Sequence, residues 1–137
     1  MVTTEEFHFP SSDGVHTVAA VRWLPAERPR AVVQLVHGIS EHMGRYAPFA
    51  RFLAEHGFAV VGHDHLGHGR RHVVKDVRAL RELAGAEYPG VPYFLMGHSM
   101  GSFVVRGYLM FWPGTVDGAI LSGTGQEPPL TVAAGRA

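Results

Sequence analysis

The residues best suited to chemistry are Gly97-His98-Ser99-Met100-Gly101. They match the pattern G-x-S-x-G, in which a serine sits on a strained strand-to-helix bend and holds its hydroxyl clear of a sheet edge as a nucleophile. The flanks suit that geometry. An apolar run, Tyr93-Phe94-Leu95-Met96, precedes the pattern, and Phe103, Val104, Gly107 and Tyr108 follow it at helical spacing. A serine at a helix N-terminus also stands beside unpaired backbone N–H groups and the positive dipole end, both of which favour an oxyanion. The glycines have their own physical role. A side chain at Gly97 or Gly101 would crowd the neighbouring strand and helix, and a tight bend favours backbone angles that glycine adopts cheaply. The alternative is a glycine-rich turn that merely contains a serine; the strand before it and the helix after it favour the nucleophile.

The elements that must position Ser99 follow from periodicity. Thr4 to Pro10 and Val15 to Leu24 partly alternate around Ser11-Ser12-Asp13-Gly14, which predicts a β-hairpin. After a loop from Pro25 to Pro29, Ala31-Val32-Val33-Gln34-Leu35-Val36 is nearly continuous apolar sequence, as a strand buried on both faces requires. Arg45 to His56 carries a helical stripe of Phe49, Phe52 and Leu53, with Gly57 as its C-terminal cap. Phe58 to Gly62 reads as a strand. The polar run His63-Asp64-His65-Leu66-Gly67-His68-Gly69 leaves it, and Val73, Val74, Val77, Leu80, Leu83 and Ala84 define another helix. Gly118 to Ser122 reads as a short buried strand, and residues 124–137 as an irregular tail. An opening hairpin followed by alternating strands and helices predicts a doubly wound, mostly parallel α/β sheet of about six strands in one domain. Ligands of such sheets bind outside the carboxyl ends of the strands. The loops after Val36, Gly62 and Met96 all leave that edge and can converge on one site.

Composition narrows the partners. Twelve basic and twelve acidic residues cancel, so no net field draws the chain to nucleic acid, and a small, uncharged partner is expected. No stretch approaches the length of a transmembrane segment, and Met1 to Pro10 lacks the apolar run of a signal peptide. The absence of cysteine removes thiolate metal sites and fits a reducing compartment such as the cytoplasm.

Three spaced segments carry a resemblance: His37-Gly38-Ile39-Ser40-Glu41-His42-Met43-Gly44-Arg45-Tyr46, then Gly62-His63-Asp64-His65-Leu66-Gly67-His68-Gly69, then Gly97-His98-Ser99-Met100-Gly101. In order and setting they resemble the α/β-hydrolases of the monoacylglycerol lipase and lysophospholipase branch, from the first hairpin to about Gly125. The resemblance implies a serine hydrolase of carboxylic esters, with a small-molecule or lipid ester as substrate and neither cofactor nor metal. Ser99 would attack the ester carbonyl, and the N–H groups of Met100 and Ile39 would stabilise the oxyanion. His37, Gly38, Gly97, His98 and Gly101 would support the loops around them, His37 bracing the oxyanion loop rather than handling protons.

The departures matter equally. In this fold the triad runs serine, acid, histidine along the chain, yet no histidine follows Ser99, and the only later acids are Asp117 and Glu127. The sequence thus resembles the N-terminal part of the fold, without the cap, the last two strands, and the loops that carry acid and base. It also passes from Gly69 to the Val73 helix by a shorter route than the family's, with Arg70 where serine is common. The strand Gly118 to Ser122 would then leave one edge bare, and either a homo-oligomer that covers that edge or a poorly stable chain is expected. His42, His65 and His68 are the histidines that could stand in as base, with Glu41 or Asp64 to orient them. Two further functions compete: a catalytically inactive hydrolase-fold remnant serving as an interaction module, and a metal-binding protein using His63, Asp64, His65 and His68.

Overall fold

A computed structural model describes residues 1–38, 42–66 and 70–125. The chain opens with an antiparallel hairpin, β1 (Thr3–Pro10) and β2 (Thr17–Leu24). Its turn is closed by Asp13, whose Oδ1 accepts the Val15 and His16 N–H groups at 2.8 and 2.9 Å. Strand β3 (Ala31–Val36) is buried at every position. A 3-10 turn at Met43–Tyr46 leads into helix α1 (Ala47–Glu55), with Pro48 in its first turn. Gly57 ends that helix at φ +93°, the left-handed angle glycine tolerates, and strand β4 (Phe58–His63) follows. Helix α2 (Arg70–Glu87), strand β5 (Tyr93–His98), helix α3 (Met100–Phe111) and strand β6 (Gly118–Ser122) complete the order.

The six strands form one sheet in the order β1-β2-β4-β3-β5-β6, with β4, β3, β5 and β6 parallel to one another. That order holds the functional information. From β3 the chain passes through α1 to β4 on one side, then through α2 back to β5 on the other. A right-handed crossover in each direction puts the connecting helices on opposite faces. Accordingly, Val33, Leu35 and Val60 pack with Ala50 and Ala54 of α1, while Val32, Val36, Val61, Tyr93 and Leu95 pack with Val77 and Leu80 of α2 and Val104, Val105 and Tyr108 of α3. The direction reverses between β3 and β5, so a crevice opens where the loops after these two strands diverge.

Two polar groups tie the layers. Gln34, fully buried in the apolar β3 run, donates from Nε2 to the Val77 carbonyl of α2 at 3.1 Å and accepts from the Tyr93 hydroxyl at 2.5 Å. Asp76 of α2, 1% exposed, accepts from the Ser11 hydroxyl at 3.0 Å and the Ser12 N–H at 2.7 Å, pinning the hairpin turn to the helix.

The fold expected from periodicity is present, with three local corrections. In α1 the buried residues are Ala50 and Ala54; Phe49 and Phe52, expected in the core, are 37% and 53% exposed. Alanines let the short helix approach the sheet, and this turns the larger rings outward. Leu83 of α2, also expected inside, is 49% exposed. Strand β6 is an edge strand rather than a buried one: among the described residues it pairs only with β5, leaving Ile120 and Leu121 48% and 38% exposed. Of the tail read at 124–137, only residues 124 and 125 lie within the described part, and they have no regular structure. Among the described residues no helix is long and apolar enough to cross a membrane.

Candidate active site

Register brings the expected loops together. Val36 of β3 pairs with Gly97 of β5, Leu35 with Gly62 of β4, and His98 with Ser122 of β6, so the chain leaves all of these strands at one edge. Ser99 is the residue between β5 and α3. Its φ of 54° and ψ of −120° make it the one non-glycine residue with positive φ among those described. Such an angle costs of order 1–3 kcal/mol and persists only when its surroundings over-determine it.

The surroundings are specific. The Ser99 N–H donates to the Ser122 carbonyl at 2.9 Å, and the Ser99 carbonyl accepts from the Ser102 N–H at 2.9 Å and the Ser102 hydroxyl at 2.6 Å. The flanking glycines admit the close packing this demands. A Cβ on Gly97 would lie 2.4 Å from the Gly101 carbonyl oxygen, and one on Gly101 would lie 2.0 Å from the Val36 carbonyl oxygen. Neither glycine has a positive φ. Both are therefore there for close approach alone, and the left-handed angle expected of a glycine falls on the serine.

With that backbone, the hydroxyl is left for other uses. Serine at a helix N-cap usually bonds back to the helix, but Ser99 makes no such bond, is exposed, and has no hydrogen-bond partner for Oγ among the described residues. Met100 opens α3, where backbone N–H groups have no partner within the helix ladder. His98 turns to the other side of the elbow: its Nδ1 lies 3.1 Å from the Ser122 hydroxyl, so it serves the β5–β6 joint. Ile39, expected as the second oxyanion donor, lies outside the described residues, as do Glu41 and His68.

The loops after β3 and β4 meet through their histidines. His37, 4% exposed, has Nδ1 at 2.8 Å from the Gly38 carbonyl, and its Nε2 accepts the His65 backbone N–H at 3.0 Å. His65 Nε2 reaches back to the His37 carbonyl at 3.1 Å. Burial, followed by the neighbouring His37, pulls the His65 pKa down to about 4, and burial pushes His63 well below the usual histidine range. His65 is thus a neutral structural ring at pH 7 and a poor base. Among the described residues Asp64 hydrogen-bonds no histidine; its Oδ1 accepts the Met43 N–H at 2.8 Å and starts the 3-10 turn. His42 is exposed and makes no contact with Ser99 among the described residues. Asp117 is at the opposite edge, where its Oδ2 caps the Tyr93 N–H at 2.8 Å. Of the residues weighed as metal ligands, His68 lies outside the described residues; the His63 and His65 rings stand edge to face at 5.1 Å, and among the described residues no group of three His, Cys, Asp or Glu could hold an ion.

Sequence reasoning missed Ser102 and Ser122. Ser102 is a small polar residue at a fully buried position one turn after the nucleophile candidate, which could have marked it. Ser122 acts through its main chain and through strand order, neither of which sequence spacing reports.

The sheet order, the crevice at its switch point and a strained serine at the head of α3 define an α/β-hydrolase fold. A carboxyl esterase from Bacillus coagulans, solved in complex with glycerol, superposes on 95% of this chain and 47% of its own with a TM-score of 0.88 at 34% identity. The family model for serine aminopeptidase S33 matches residues 27–136, and the chain belongs to that family. It is 37% identical over 132 residues to the monoacylglycerol lipase of Mycolicibacterium smegmatis, covering 88% of this chain and 47% of that protein. To the human monoglyceride lipase it is 35% identical over 125 residues, covering 83% and 41%. The resemblance drawn from the three motifs is borne out, and the chain spans less than half the length of these relatives.

Two outcomes follow. Gly101→Ala should cost about 3 kcal/mol in urea unfolding, because its methyl has only β3 backbone to displace; a loss below about 0.5 kcal/mol would show that α3 does not press on β3 as described. The depressed histidines set an acid sensitivity. The unfolded chain takes up protons below the ordinary histidine pKa of about 6.5 while the folded chain resists them, so stability is full above that pH and declines toward about pH 4. For His65 alone the loss at pH 4 is on the order of 3 kcal/mol, measured as a falling urea midpoint; a midpoint flat from about pH 7 to about pH 4.5 would contradict burial of the neutral rings.

Proposed function

We propose that this chain carries the nucleophile and oxyanion hole of a serine ester hydrolase acting on monoacylglycerol or lysophospholipid-type esters. The observation that carries this reading is Ser99 itself: exposed, at φ 54°, its hydroxyl without a partner among the described residues, at the head of α3. Attack by Oγ on an ester carbonyl would move negative charge onto the carbonyl oxygen. The Met100 N–H, and that of Ile39 from the loop after β3, would receive it, each donor lowering the barrier by roughly 3–4 kcal/mol. The helix dipole acts in the same sense. A tetrahedral intermediate would then expel the alcohol, and water would release the acid.

The proton of Ser99 needs a base, and no histidine follows Ser99 in the sequence. We assign base and acid to a segment outside these residues, seated beside the bare edge of β6, whose Ser122 already touches the elbow. For the chain alone, that edge is where we place pairing with a second copy. The balanced charge supports a small or lipid ester partner, and the lack of cysteine fits a cytoplasmic setting.

A fluorophosphonate probe tests the nucleophile. Intact mass should show a single adduct on Ser99, absent in Ser99→Ala, forming in the isolated chain with only the residual ~10³–10⁴-fold advantage that an oxyanion hole supplies without a complete triad. An adduct elsewhere, or one that survives Ser99→Ala, would reject Ser99. Sedimentation of the same sample should show a dimer that Ile120→Lys dissociates; a monomer at all concentrations would reject pairing through β6.

A further inference from the structure

The histidines after β3 and β4 are joined more tightly than loop packing requires. His65 donates its backbone N–H to His37 Nε2 at 3.0 Å, so that nitrogen carries a lone pair and the proton of His37 resides on Nδ1. There it donates to the Gly38 carbonyl at 2.8 Å. His65 Nε2 faces the His37 carbonyl at 3.1 Å, and a carbonyl only accepts, so His65 is protonated on Nε2. The two neutral rings therefore hold opposite tautomers, tilted by 40° with centroids 3.9 Å apart. Beneath them His63, 1% exposed, packs edge-on against His65 and against Phe9, a floor that disfavours charge on His65.

The backbone at His37 and Gly38 is thereby gripped from two sides. Gly101 of α3 presses on the Val36 and His37 carbonyls, where an added Cβ would stand 2.0 and 2.7 Å away, and His65 holds the same stretch from the β4 side. Both contacts end at the point where the chain enters residue 39. We propose that His65 is a positioning residue for the oxyanion side of the site: its backbone N–H and Nε2–H lock His37 and hold the His37–Gly38 backbone in place. This rests on the assignment of Ser99 and residue 39 made above. His65 touches neither Ser99 nor substrate; it acts through His37.

The test combines imidazole nitrogen NMR with labelling. In the wild-type chain at neutral pH, His37 should show a protonated Nδ1 and His65 a protonated Nε2. In His65→Ala the His37 tautomers should mix, and amide exchange at residues 37 and 38 should rise at least about tenfold, because the grip from the β4 side is gone. Fluorophosphonate labelling of Ser99 should fall about 10²-fold, the scale of a misplaced oxyanion donor. His65→Gln, which keeps an N–H near the position of Nε2, should recover most of both signals with an unchanged thermal midpoint; it also serves if His65→Ala does not fold. The inverse tautomers in wild type, or labelling that is unaffected although the His37 tautomer is lost, would overturn the proposal. If the wild-type chain takes no label at Ser99, the nucleophile assignment fails by itself, and the tautomer and exchange measurements still decide whether His65 holds the β3 loop.

Discussion

Helix α3 begins with its backbone pressed into the carboxyl ends of β3 and β5, and most of the local structure follows from the space available there. Without side chains at Gly97 and Gly101, the first turn of the helix packs against the Val36 and His37 carbonyls and sets its own Gly101 carbonyl against Gly97 of β5. The chain must reverse within one residue to enter such a helix, and that residue is Ser99 at φ 54°. The strain is held by hydrogen bonds from Ser102 and to Ser122, so it belongs to β6 and α3 jointly rather than to the serine alone. One steric constraint thus does two things. It leaves the hydroxyl exposed, and it sets the unpaired N–H groups of α3 beside it.

The buried polar groups divide into those that join layers and those that shape the edge. Gln34 and Asp76 connect strands or a turn to α2, and each is satisfied by partners from distant parts of the chain. His37, His63 and His65 lie nearer the site and are a different case. Burial disfavours the charged forms of His63 and His65, and the hydrogen bonds between His37 and His65 have fixed direction. His63 and His65, held neutral there, are poor candidates for a base.

Strand β6 couples the site to whatever lies beyond it. Its inner side closes the elbow through the Ser122 carbonyl, while its outer side shows no strand partner among the described residues and exposes Ile120 and Leu121. An apolar, uncharged edge favours pairing. The chain spans less than half the length of the relatives it matches.

Much of this was legible in the residues themselves. The alternation of strand and helix, the apolar β3 run, and the G-x-S-x-G turn follow from local patterns that act within a few residues, and they determined the fold class and singled out Ser99. What the sequence could not decide depended on contacts between distant segments. Whether Phe49 and Phe52 or Ala50 and Ala54 face the sheet depends on how closely α1 can approach, a property of the packed pair rather than of the stripe. The roles of Asp64 and His65 turned on strand register, which gave the aspartate to the Met43 N–H and the histidine to His37. The bonds that hold Ser99 at its angle come from Ser122, on a strand whose position beside β5 is set by the order of the whole sheet.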